Sequence, residues 1–124
     1  MHRINILEEL AWRGLIHQST ELQALKELLV QPQTVYVGFD PTASSMHCGH
    51  LLPLMILRRF QQFGHKPIAL VGGATGMIGD PSGKSEERVL LSPDALAENV
   101  EGMRGQMNRF LDFEGAGAAR LVNN

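Results

Sequence analysis

Residues 33–72, QTVYVGFDPTASSMHCGHLLPLMILRRFQQFGHKPIALVG, read as a strand, a turn, a helix and a second strand in one run. QTVYVG, 33–38, is rich in the β-branched and aromatic side chains that suit a pleated strand. The stretch from Asp40 to Ser45 is rich in turn formers. A helix then runs up to Gly64, with Leu51, Leu54, Met55, Leu57 and Phe60 available for a core. Pro53 lies in its early part and should fall within the first turn, where a proline costs least. PIALVG, 67–72, is a short apolar run of the kind found in buried strands.

Working outward, a Gly/Pro/Ser-rich loop covers 72–92. Ser92 is placed to cap a helix with Pro93 at its first position and Asp94 in its first turn. Leu96, Val100, Met103, Met107, Phe110 and Leu111 give that helix one apolar face. After Gly115 and Gly117, residues 119–123 suggest a third strand. Towards the start, Ile4, Leu7, Leu10 and Ala11 have helical spacing, and Gly14 is placed to close that helix. A second helix over 20–30 is expected to be capped by Ser19 or Thr20, with Leu22, Leu25, Leu28 and Leu29 buried and Pro32 ending it. The order is therefore a helical segment, 1–32, then β-α-β-α-β over 33–124. Such an alternation is about half of an α/β doubly wound parallel sheet. Ligands of such sheets bind beyond the carboxyl ends of the strands, which puts 38–50 and 72–85 on one rim.

Composition bounds what this rim can do. The chain has 124 residues, enough for one modest core. Its net charge of -2 is not the footprint of a domain that grips nucleic acid through its overall field. There is no apolar run long enough for a membrane span, and MHRINILEEL lacks the core of a secretory signal. The single cysteine, Cys48, excludes an internal disulfide and suits a reducing, cytoplasmic setting.

Two clusters carry chemistry. In YVGFDPTASSMHCGH, 36–50, Gly38 ends the strand and lets a backbone or ligand approach closely. Thr42, Ser44 and Ser45 offer hydroxyls. His47 and His50 are three apart at a helix start, so both rings turn to one side. A helix start presents unpaired N–H groups and suits phosphate. The same residues also read as plain surface histidines, or as metal ligands with Cys48, though side chains of consecutive residues diverge.

In LVGGATGMIGDPSGKSEER, 70–88, Gly73, Gly76 and Gly79 recur every third residue after a strand. That run resembles the glycine fingerprint of the extended short-chain dehydrogenases, which would make the chain an NAD(P)-binding oxidoreductase. Three features oppose it. The fingerprint would follow the second strand rather than the first, Asp80 to Gly83 prolong the loop, and Tyr36 has no lysine four residues on. A P-loop fails on spacing, because Ile78 stands where Gly83-Lys84-Ser85 would require a glycine.

GFDPTASSMHCGH resembles the first signature, His-x-Gly-His, of the class I aminoacyl-tRNA synthetases, and its GFDPTA flank is similar to the tyrosyl branch. GGATGMIGDPSGKSEER and the early AWRGL resemble the same branch, so the likeness covers most of the chain. Cys48 replaces the more usual isoleucine or leucine. The resemblance implies a Rossmann-like catalytic domain that activates L-tyrosine with ATP and Mg²⁺ and passes it to tRNA(Tyr). It implies that Thr42 and His47 meet the β- and γ-phosphates, and that Gly49 and His50 lie against ribose and adenine. Gly38 and Asp40 would flank the nucleotide. Lys84 and Arg88, otherwise a solvated charge run, would close over pyrophosphate. Tyr36, otherwise a core aromatic, would hydrogen-bond the phenolic oxygen of the substrate. Asp80 would hold its ammonium group, and Thr75 and Asn124 would border the pocket. No residue is asked to be a covalent nucleophile; positioning and charge stabilisation suffice.

The second class I signature, a lysine-rich KMSKS-like loop, does not occur in the 124 residues. The resemblance therefore implies a chain truncated at its C-terminus. The rest of the tyrosine pocket, the homodimer interface and the anticodon-reading parts would lie beyond Asn124. The fragment alone is expected to be inactive and poorly stable. A synthetase-like remnant without catalysis would share the same motifs.

Overall fold

The structure is a computed structural model that describes residues 5–40, 46, 48–72 and 92–123. Strands β1 (Thr34–Phe39), β2 (Lys66–Val71) and β3 (Arg120–Asn123) form a parallel sheet in the order β1-β2-β3. Val37, Ala69 and Leu121 stand in register across it. Helix α1 (Ile6–Trp12) and helix α2 (Leu22–Leu28) precede the sheet. Helix α3 (Cys48–Gln62) crosses from β1 to β2, and helix α4 (Pro93–Met107) precedes β3. This is the expected β-α-β-α-β order, because parallel neighbours need a crossover rather than a hairpin.

Both crossover helices pack on one face of the sheet. Leu54 and Leu57 of α3 and Met103 and Met107 of α4 form a core with Phe39, Ala69, Leu111 and Ala119. Val35, Val37 and Leu121 pack against it, so alternate residues of each strand face the helices. Side chains this well buried each contribute roughly 1.5–3 kcal/mol relative to exposure. A smaller core joins Ile6, Leu7, Leu10 and Leu29 to Phe60 and Phe63 near the end of α3. Glu9 reinforces that join by pairing with Arg13 on its own helix and with Arg59 of α3 at 3.7 Å.

The helix ends follow local chemistry. The Asn5 side chain accepts from the Glu8 N–H at 2.8 Å and caps α1. Gly14, at φ +70°, closes it as expected, with Gly14 N–H donating to the Ala11 carbonyl and Leu15 N–H to that of Leu10. Gly64, at φ +92°, repeats the device after α3, its N–H donating to Gln61 and that of His65 to Phe60. Ser92 caps α4 by accepting from the Ala95 N–H at 3.2 Å, again as expected.

Three local expectations are corrected. Gly38 does not end β1: the strand runs on to Phe39, whose carbonyl accepts from Gly72 N–H at 2.9 Å and prolongs the ladder. Pro53 falls in the second turn of α3, because the helix starts at Cys48. There it has no N–H to give to the Gly49 carbonyl. Helix α2 starts after Glu21 without a side-chain cap, and only Leu29 of its four leucines is buried. A helix of two turns shows one narrow side to a single neighbour, so Leu22 and Leu28 remain exposed.

Candidate functional site

The sheet's second face carries a different set of side chains. Tyr36 and Gly38 point away from the helices, in register with Ile68 and Leu70 of β2. Tyr36 is 70% exposed there and takes no part in the core that the strands form with the helices. Ile68, Leu70 and Val122 are half-buried beside it, while Thr34, Lys66 and Arg120 are exposed at the amino ends. This face is apolar towards the carboxyl ends of the strands and carries one phenol.

Gly38 is informative because no described neighbour demands a glycine there. Its φ is not positive, and among the described residues an added Cβ would meet only the Leu70 carbonyl oxygen at 4.0 Å, an ordinary contact. Glycine in a strand interior weakens the strand and often marks close approach of a ligand or another backbone. Asp40 follows directly at the strand exit and is half-buried.

The start of α3 meets the same end of β1. Gly49 is exposed in the first turn, and the half-buried His50 ring lies 6.1 Å from that of Phe39 in a tilted arrangement. Asp40 at the exit of β1 and His50 in the first turn of α3 thus stand at the carboxyl end of β1, while Tyr36 and Gly38 lie within the strand on the second face. Crevices there bind ligands in open α/β sheets. Thr42, His47, Thr75, Asp80, Lys84, Arg88 and Asn124 lie outside the described residues, as does most of the 72–92 loop.

Cys48 is exposed and free, and no group of three metal-binding side chains gathers among the described residues. His65 was not singled out from sequence. It is 4% exposed, and burial lowers its pKa below the usual 6.5. Its Nδ1 accepts from Gln33 N–H at 3.0 Å, which requires that nitrogen to be unprotonated. It therefore secures the amino ends of β1 and β2, away from the ligand rim. Gln106 was also missed. Its side-chain oxygen accepts from Met46 N–H across 60 residues of sequence, a separation that periodicity does not read. No described helix is long and apolar enough to cross a membrane.

Comparison with known proteins agrees with this geometry. Residues 30–124 match the tRNA synthetases class I (W and Y) family. A tyrosine–tRNA ligase of Rhodopirellula baltica is 63% identical over 97% of the chain, which spans 28% of that relative's length. The fold superposes on a C-terminally truncated mitochondrial tyrosyl-tRNA synthetase of Coccidioides posadasii with a TM-score of 0.78, at 31% identity, over 98% of this chain and 36% of that one. The corresponding Aspergillus nidulans structure gives a TM-score of 0.80 at 29% identity, over 98% and 38%. The matched region includes the GGATGMIG run, which follows the middle strand of the sheet, so the dehydrogenase reading has no support. The chain belongs to the class I tRNA synthetases of the tryptophan and tyrosine branch.

Proposed function

We propose that this chain is the amino-terminal part of a tyrosine–tRNA ligase, with a helical segment over 1–32 and the first half of the catalytic domain over 33–124. The ligase joins L-tyrosine to ATP, accompanied by Mg²⁺, releases pyrophosphate, and transfers tyrosine to tRNA(Tyr). The 63% identity to a tyrosine–tRNA ligase over 97% of the chain carries this reading. The geometry supports it at Tyr36, an exposed phenol on the second face of the sheet beside a glycine that no described neighbour requires.

In this reading the open face receives the tyrosine ring, and Tyr36 meets its hydroxyl. A hydroxyl aligned with a phenol exchanges hydrogen bonds as both donor and acceptor. Gly38 leaves room for the ligand backbone or the α-phosphate to lie flat. Asp40, Gly49 and His50 surround the nucleotide at the strand end, and Thr42 and His47 approach its outer phosphates. Asp80 pairs with the ammonium group, where only a charged partner offsets desolvation of the carboxylate. Thr75 and Asn124 border the pocket, and Lys84 and Arg88 stabilise departing pyrophosphate. None of these groups is asked to form a bond to substrate; they orient reactants and balance charge.

The full-length protein is expected to be a cytoplasmic homodimer, with tRNA gripped mostly by parts outside these 124 residues. The test is tyrosine-dependent exchange of pyrophosphate into ATP. The full-length protein is expected to catalyse it, and the 124-residue chain alone is not. Absence of exchange in the full-length protein would leave a synthetase-like remnant. Exchange by the 124-residue chain would overturn the assignment of essential groups to the rest of the protein.

A further inference from the structure

Met46 immediately precedes His47 and stands two residues before the first residue of α3. Backbone N–H groups at a helix start have no partner within the helix and are usually met by a nearby side chain. Here the Met46 N–H donates instead to Gln106 Oε1 of α4 at 2.5 Å, across 60 residues of sequence. Gln106 sits on a well-held stretch of helix. Its neighbours Met103 and Met107 are buried in the main core, and Phe110, one turn on, packs against it. Met46 packs against the same core, and the hydrogen bond is partly buried. Met46, Cys48, Leu51, Leu54, Gln106 and Phe110 together line a cleft of about 290 Å³ between the two helices.

The anchor and the site therefore lie at opposite ends of a short piece of chain. Gln106 holds the backbone that enters α3, and α3 carries Gly49 and His50 in its first turn. We propose that Gln106 is a positioning residue for tyrosine activation. It touches no reactant. By holding the Met46 amide it sets where α3 begins, and so where Gly49 and His50 meet the nucleotide. This inference rests on the ligase reading above. A displacement of about 1 Å in such a group costs up to about 100-fold in rate. Loss of this hydrogen bond, with Met46 still packed against the core, is expected to cost about tenfold.

Two substitutions in the full-length enzyme separate positioning from packing. Gln106→Met keeps the length of the side chain and removes the acceptor. Gln106→Glu keeps an oxygen acceptor at the same reach. Pyrophosphate exchange is measured with KM for tyrosine and ATP, alongside thermal unfolding. Gln106→Met is expected to lower kcat about tenfold with the tyrosine KM unchanged. Gln106→Glu is expected to stay within about threefold of wild type. Wild-type kcat in Gln106→Met overturns the proposal. So does an equal loss in both variants, which would assign the effect to packing. Amide hydrogen exchange of the folded wild type needs no variant: slow exchange at Met46 is expected, and exchange at the unprotected rate overturns the tether. If the wild type itself shows no tyrosine-dependent exchange, the ligase reading fails, and the Met46 measurement still reports on the tether by itself.

Discussion

The two faces of the β1-β2-β3 sheet are built from alternate residues of the same strands, yet they do different work. Val35, Val37 and Phe39 meet helices α3 and α4 and form the core. Tyr36 and Gly38, interleaved with them, belong to neither core cluster of the described residues, and Tyr36 is largely exposed. A strand with period two can thus be read twice, once for stability and once for function. The residues that look misplaced by stability rules, an exposed tyrosine and a mid-strand glycine, are those that the proposed site uses.

Leaving the second face bare is expected to have the largest effect. Parallel sheets normally have both faces covered and their edges paired. The isolated 124-residue chain is therefore expected to unfold over a broad temperature range and to bind a hydrophobic dye, whereas the full-length protein does neither. A sharp melt of the isolated chain would show that the covered face suffices. Next in size is a cavity in the covered face. Leu57 is 1% exposed between α3 and the sheet, so Leu57→Ala should cost about 2–5 kcal/mol in denaturant unfolding of the full-length protein. A cost below about 1 kcal/mol would mean that this core is not the main source of stability.

A smaller effect concerns His65 at the amino ends of the strands. Its pKa is lower folded than unfolded, so the unfolded chain binds more protons. Its contribution is fully present above the unfolded value of 6.5 and is lost as pH falls through the lowered folded value. Thermal stability of the wild type should decline on that acid side. His65→Asn, which keeps a side-chain acceptor for the Gln33 amide without a titrating proton, should lose this part of the decline. An identical pH profile in the variant would remove His65 from the account.

The elements most open to reading from sequence were those set by near neighbours. Gly14 and Ser92 act within a few residues, and both ended or began helices as their types suggest. The apolar stripe of α4 likewise marked its buried face. What escaped depends on partners far along the chain. His65 meets Gln33 across 32 residues, and Gln106 meets Met46 across 60. Gln61 clamps the segment after α4 by donating to the Asp112 carbonyl and accepting from the Asp112 N–H, across 51 residues. No periodicity encodes such pairs. The α2 leucines misled for a related reason, since a helical stripe tells which side is apolar but not whether a neighbour arrives to cover it. For the site, the two motif clusters pointed to the carboxyl rim; His50 meets Phe39 at the carboxyl end of β1, and the roles given to Tyr36, Gly38, Asp40, Gly49 and His50 belong to the proposed function. The motif residues of 41–45, His47 and 73–91 lie outside the described residues.

The smallest expected change in stability belongs to the most functional position. Tyr36→Phe removes one exposed hydroxyl and should alter unfolding free energy by no more than about 0.5 kcal/mol. The decisive measurement is tyrosine-dependent pyrophosphate exchange by the full-length protein carrying this change, with KM determined separately for tyrosine and ATP. If the open face holds the substrate ring, the tyrosine KM rises several-fold while the ATP KM and the melting temperature stay at wild-type values. An unchanged tyrosine KM, or a rise in the ATP KM alone, would contradict the assignment of that face to tyrosine.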